Sequence, residues 1–121
     1  MMIVYDTMTG NTRRFVKKLS EITDVTSYSL RNENIPEGKF LLITHTIGKG
    51  EVPETTRKLI SERKDDVLGV CSSGSIHWGN TFAIAADVIS QEIGVPAVLK
   101  FNKSGTVKDL EVVRSWIECN G

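Results

Sequence analysis

The chain has no excess of charge of either sign: 15 lysines and arginines face 15 aspartates and glutamates across 121 residues, for a formal net charge of zero. Such a balance offers no basic stripe to nucleic acid and no polybasic patch to an anionic membrane surface. Long apolar runs are missing too, and none approaches the roughly 20 residues of a membrane-spanning helix. The N-terminus shows no basic segment followed by an apolar stretch, so no secretory signal is read and a cytoplasmic location is expected. Cysteine is scarce. Cys71 and Cys119 form no CxxC pair and have no metal-ligand spacing with His45 or His77, so neither a disulfide nor a metal site is expected. Cys71 lies in an apolar run and reads as a small buried residue, Cys119 as an exposed one. There is no G-x-G-x-x-G after the first apolar run and no acid after the second, which argues against a dinucleotide site. No internal repeat or low-complexity segment is present.

What the chain does have is one polar stretch, Thr7-Met8-Thr9-Gly10-Asn11-Thr12, between two patterned segments. The apolar run Met2-Ile3-Val4-Tyr5 leads in, and Phe15, Val16, Leu19 and Ile22 at helical spacing lead out. The reading is strand, tight loop, helix. N–H groups in the first turn of a helix have no intrahelical partner, and the helix dipole adds partial positive charge there. That makes a phosphate site, with Gly10 allowing close backbone approach. No Gly-Lys-Ser/Thr closes the loop, so it is not a Walker P-loop, and any phosphate would be held by neutral donors. The plainer alternative is that Thr9 or Asn11 only caps the helix.

The length suits one domain over residues 1–121. Strands are expected at residues 2–6, 24–30, 39–46, 66–71 and 97–101, and helices at 11–22, from Pro53, at 81–93 and from Thr106. Pro53 favours a first helical position, Gly94 a helix stop, and Thr106-Val107-Lys108-Asp109 a capping box with Asp in place of Glu. Charges along the second helix (Arg57, Lys58, Arg63, Lys64) read as a solvated face. Strands alternating with helices predict an α/β three-layer sandwich: a five-stranded parallel sheet in order 2-1-3-4-5, with a ligand crevice beside strand one. One link fits poorly, because the second and third strands have no helix between them, and parallel strands usually need a longer crossover.

Three polar, glycine-bearing loops then share the carboxyl edge of the sheet. The first suits a phosphate. The second, Thr44-His45-Thr46-Ile47-Gly48-Lys49-Gly50, offers hydroxyl and backbone groups on a hinge; the third, Ser73-Gly74-Ser75-Ile76-His77-Trp78-Gly79-Asn80, offers an aromatic plane. Together they suit a flat heteroaromatic ring on a phosphate tether, flavin mononucleotide (FMN) before any dinucleotide. Trp78 could equally be buried against the sheet, and Gly48 and Gly50 could serve only a turn. His45 and His77 read as loop hydrogen-bonders, not as acid–base catalysts, so no catalytic residue is assigned.

The segment Val4-Tyr5-Asp6-Thr7-Met8-Thr9-Gly10-Asn11-Thr12 resembles the FMN-phosphate signature of flavodoxins. Continued through Arg14-Phe15-Val16, it is more similar to the NrdI proteins, the small flavodoxin-like partners of class Ib ribonucleotide reductase. Thr44 to Thr46 with Gly50-Glu51-Val52-Pro53, the stretch from Gly74 to Ala83, and Lys100-Phe101-Asn102-Lys103-Ser104-Gly105-Thr106 resemble the same family. The chain differs from many members at Ile47-Gly48-Lys49. The resemblance implies a flavodoxin-like fold and bound FMN. It also implies superoxide supply for assembly of the dimanganese-tyrosyl radical cofactor in the reductase small subunit, with a flavodoxin reductase or similar protein as electron donor. Residue by residue, it assigns the phosphate to Thr7, Thr9, Gly10, Asn11 and Thr12. One side of the ring falls to Thr44, His45, Thr46, Ile47 and Gly48, the other to Gly74, Trp78, Gly79 and Phe82.

The alternatives come from other classes. A general electron-carrier flavodoxin is expected to be acidic, whereas this chain is neutral. A receiver domain on the same fold would need an acidic pair after strand one and an aspartate ending strand three; here stand Asp6 alone and Thr44. A small phosphatase would need cysteine and arginine in the first loop, which has no cysteine.

Overall fold

The structure is a computed structural model that describes residues 1–47 and 50–120, apart from the side chains of Trp78 and Asn80. Five strands form one sheet: β1 (Met2–Tyr5), β2 (Ser27–Ser29), β3 (Phe40–His45), β4 (Val67–Gly74) and β5 (Ala97–Asn102). All four pairings are parallel and the order is β2-β1-β3-β4-β5, as the alternation of elements predicts. Four helices cover it: α1 (Asn11–Ile22), α2 (Glu54–Arg63), α3 (Ala85–Ile93) and α4 (Val107–Asn120).

Alternation along each strand sends side chains to opposite faces. Ile3, Leu41, Ile43, Cys71 and Phe101 pack with Phe15, Val16 and Leu19 of α1 and Leu110, Val113 and Ile117 of α4. Met2, Val4, Phe40, Leu42 and Val70 pack on the other face with Leu59 and Ile60 of α2 and Ala85, Ala86 and Ile89 of α3. Cys71 is buried, which pushes its thiol well above the ordinary range and keeps it from being a nucleophile, and Cys119 is exposed. No described helix is long and apolar enough to cross a membrane. The predicted box at the start of α4 forms in both directions: Thr106 N–H donates to Asp109 Oδ2 (2.9 Å) and Asp109 N–H to Thr106 Oγ1 (3.2 Å).

The helix-less crossover from β2 to β3 is held by side chains instead of by a helix. Ser29 N–H donates to Glu33 Oε1 at 2.8 Å, Arg63 Nη2 of α2 donates to Gly38 O at 3.0 Å, and Lys39 Nζ donates to Asp65 O at 2.8 Å. The Gly38 carbonyl of this irregular, mostly exposed segment thereby gains a side-chain partner.

Three elements differ from expectation, the first being β2, which is confined to Ser27–Ser29 within the expected 24–30. β4 runs on to Gly74, because the hydroxyls of Ser72 and Ser73 are partnered and can be buried in a strand. The third helix begins at Ala85, not at residue 81. Ile76–Thr81 forms a 3₁₀ turn broken at Gly79 (φ 56°, ψ −118°), and Ala83 at φ 47° bends the chain again before α3.

Candidate functional site

The loop from β1 to α1 closes on itself. Gly10 N–H donates to Thr7 Oγ1 at 3.0 Å, and Gly10 takes the left-handed conformation (φ 91°) immediately before the first helical residue. No side chain caps α1, so the capping alternative for Thr9 or Asn11 is not what the loop does, and the first-turn N–H groups are left for an external acceptor. Thr12 is 1% exposed; its hydroxyl lies 3.2 Å from Ser73 Oγ and 3.5 Å from Thr44 O. What Thr12 presents to the loop is therefore its backbone N–H. Arg14 folds back over the loop: its Nη1 donates to Asn11 Oδ1 at 2.8 Å, and its Nη2 would lie 3.6 Å from a Cβ at Gly10.

The loop after β3 is a narrow hairpin. Ile47 N–H donates to Glu51 O and Glu51 N–H to Ile47 O, both at 2.9 Å. Gly50 (φ 129°) closes it, and a Cβ there would stand 2.8 Å from Ile84 Cγ2. Thr46 joins this loop to the next, with its N–H donating to Ser73 O (3.0 Å) and its Oγ1 accepting from Ala85 N–H (3.2 Å). Thr44 is fully buried behind the site, with Oγ1 2.8 Å from Thr56 Oγ1. His45 Nδ1, 3.1 Å from the pure acceptor Asp6 O, carries a proton, and the other ring nitrogen is Nε2. That Nε2 is buried without a partner among the described residues.

The loop after β4 is pinned by Ser72, whose Oγ bonds to Ala83 O and accepts from Ala86 N–H at 3.0 Å. Gly74 is where the two ends of this loop touch: a Cβ on it would meet Ala83 N at 2.6 Å and Ala83 Cα at 2.9 Å.

These three loops and the turn after β5 enclose a cleft of about 380 Å³, inside the roughly 300–1,000 Å³ range of small-molecule sites. Met8, Thr9 and Asn11 line it from the first loop, His45, Thr46 and Ile47 from the second, Ser73, Gly74 and Ser75 from the third, and Lys103 from the fourth. Thr9, Asn11, His45, Thr46, Ile47 and Gly74 are thus brought together as expected. Thr7, Gly10, Thr12 and Thr44 shape the loops around the cleft, while Gly79 and Phe82 are not among the residues that line it. Gly48 and the Trp78 side chain lie outside the described residues. Sequence reasoning missed Met8, Ser73, Ser75 and Lys103 as lining residues, although all four lie in segments already singled out: Met8 in the first loop, the serines in the third, and Lys103 in the stretch from Lys100 to Thr106.

A family model described as NrdI flavodoxin-like matches residues 3–115. The chain is 44% identical to Protein NrdI of Deinococcus radiodurans over 117 residues, covering 97% of this chain and 82% of that one. It is 40% identical to the SPbeta prophage-derived protein NrdI of Bacillus subtilis over 111 residues (92% and 86% covered). Protein NrdI of Bacillus licheniformis is 39% identical over 118 residues (98% and 88% covered). Among solved structures, a short-chain flavodoxin associated with a PDU bacterial microcompartment superposes with a TM-score of 0.69 at 20% identity, over 98% of this chain and 95% of that one, which speaks for the fold alone. With a parallel 2-1-3-4-5 sheet and these relatives along nearly its whole length, the chain belongs to the NrdI flavodoxin-like family.

Proposed function

We propose that the chain is an FMN-binding redox accessory protein of class Ib ribonucleotide reductase, supplying superoxide for assembly of a dimanganese-tyrosyl radical cofactor in the small subunit. A flavodoxin reductase or similar protein is its electron donor, and its place is the cytoplasm. One observation carries the reading: a single cleft at the carboxyl edge of the sheet runs from an uncapped helix N-terminus to two hydrogen-bonded loops.

The residues present fit FMN. The first-turn N–H groups of α1, Thr9 and Asn11, on a loop shaped by Thr7 and Gly10, would hold the phosphate, with Thr12 contributing its N–H. Met8 and Ile47 give apolar contact, Thr46, Ser73 and Ser75 give hydroxyls, and the unpartnered His45 Nε2 adjoins the same cleft. Gly48 and Trp78 complete the ring site in this proposal, whereas Gly79 and Phe82 stand outside the cleft lining. FMN bound there supplies one-electron chemistry, including reduction of dioxygen to superoxide. The chain's own part is to fix the phosphate, hold the ring between two loops and set how far water enters.

The test is a visible spectrum of the purified protein, with acid release and mass identification of the chromophore. One FMN per chain is expected; a colourless protein that takes up no FMN at micromolar concentration overturns the reading. Reduced protein added under oxygen to a manganese-loaded class Ib small subunit should then raise tyrosyl radical yield. Full electron transfer to partner proteins without radical assembly would instead indicate a general electron-transfer flavodoxin.

A further inference from the structure

The described lining of the cleft carries one formal charge, that of Lys103, and no carboxylate. Lys103 forms no ion pair with any described residue. Its place is fixed by the backbone. Lys103 N–H donates to Gly74 O at 3.0 Å, and Gly105 N–H donates to Asn102 O at 3.0 Å. Gly105 then packs so close to α1 that a Cβ on it would stand 2.5 Å from Phe15 Cδ1, and Phe15 itself stacks on Phe101 at 4.1 Å. The turn after β5 is thereby held against the first helical turns of α1, beside Thr9 and Asn11. Lys103 also adopts φ 54°, a left-handed conformation that costs a lysine free energy. An exposed cation at the rim of a cleft lined by hydroxyl and amide groups, with no counter-ion among the described residues, matches a dianionic phosphate monoester.

We propose that Lys103 is a phosphate-binding residue that makes this chain select FMN over riboflavin, so that the phosphate is held by a charged group as well as by neutral donors. This rests on the FMN reading above. Arg14 supports it from the other side: it takes Asn11 Oδ1 as its acceptor and leaves the Asn11 amide N–H₂ as the donor for the phosphate.

The experiment titrates the flavin-free full-length protein with FMN and with riboflavin, at several salt concentrations, for wild type, Lys103→Met, Lys103→Arg and Lys103→Asn. Asparagine tolerates the left-handed conformation, so Lys103→Asn removes the charge without adding strain. Met and Asn variants should each bind FMN about tenfold more weakly, with riboflavin affinity unchanged and a shallower salt dependence. Lys103→Arg should keep most of the FMN affinity. Equal losses for FMN and riboflavin, or no loss for either, overturn the proposal. Failure of the wild type to bind FMN at all is visible before any variant is made, and overturns the flavin reading itself.

Discussion

Arg31 Nε stands 2.7 Å from Asp6 Oδ1, and the Asp6 side chain is wholly buried while that of Arg31 is 37% exposed. The carboxylate also accepts from Thr55 Oγ1 and from Thr56 Oγ1 (2.8 Å), at the N-terminal end of α2. One group thus gathers the end of β1, the segment after β2 and the start of α2. Asp6 also offers its own carbonyl, just past β1, to His45 Nδ1.

Asp6 gives the first prediction. Burial alone pushes its carboxyl upward, but hydrogen bonds from Thr55, Arg31 and Thr56 and the guanidinium charge outweigh this and hold it below its ordinary value. A depressed folded pKa contributes stability above the unfolded value of about 4, and that stability is lost as pH falls through the folded value. Asp6→Asn should cost about 2–4 kcal/mol at neutral pH. The gap from wild type should narrow below about pH 4. Urea denaturation from pH 7 to 3 measures both; a gap that does not depend on pH contradicts the assignment.

The two threonines of the first loop should separate. Thr9 lines the cleft, whereas the Thr12 hydroxyl faces Ser73 and Thr44 O. Thr9→Val should weaken FMN binding by about 1.5–3 kcal/mol with the melting temperature unchanged. Thr12→Val should lower stability by about 1 kcal/mol and affect FMN less. Calorimetric titration paired with thermal melts distinguishes them, and identical profiles for the two variants would count against distinct roles.

Gly74 is a packing glycine as well as a residue that lines the cleft. Gly74→Ala should destabilise the flavin-free protein by about 1–3 kcal/mol, because the new methyl meets the Ala83 backbone, which has no rotamer to change. Thermal unfolding without flavin is the measurement; a loss seen only with flavin bound would mean the clash is relieved elsewhere.

Gly50 combines a positive φ of 129° with too little room for a methyl, since a Cβ would stand 2.8 Å from Ile84 Cγ2. Gly50→Ala should destabilise by about 1–3 kcal/mol, and Ile84→Ala, which removes Cγ2, should in the same chain recover only the steric part. The double-variant cycle in chemical denaturation reads that partial recovery. Full recovery would show that the backbone conformation costs nothing.

Sheet order and helix α1 were legible because both rest on local pattern: apolar runs of strand length, and Phe15, Val16 and Leu19 on one helical face. The start of α3 was not. Phe82, Ile84 and Ala85 continue the apolar spacing backwards, and nothing in an alanine's identity announces that Ala83 sits at φ 47°. That bend accompanies the close approach of Gly74, a contact between residues on different elements. The end of β4 was hidden likewise, since Ser72 and Ser73 read as loop until their partners on α1 and α3 are known. Thr9 and Asn11 announced themselves by position in the first loop. Lys103 stood in a stretch singled out for its resemblance, but its place at the cleft follows only from the parallel pairing of β4 with β5.

The connection between β4 and α3 has a fixed base. Ser72 bonds to both Ala83 and Ala86, and Gly74 abuts the Ala83 backbone, so the chain leaves and re-enters the core at one clasp. Residues 75–82 form the span beyond that clasp, and changes within such a span do not propagate into the sheet. One wall of the cleft is therefore an interchangeable cassette. Evolution can retune it, or an engineer can graft a different sequence onto it, as long as the serine, the glycine and the small residue at 83 are left in place.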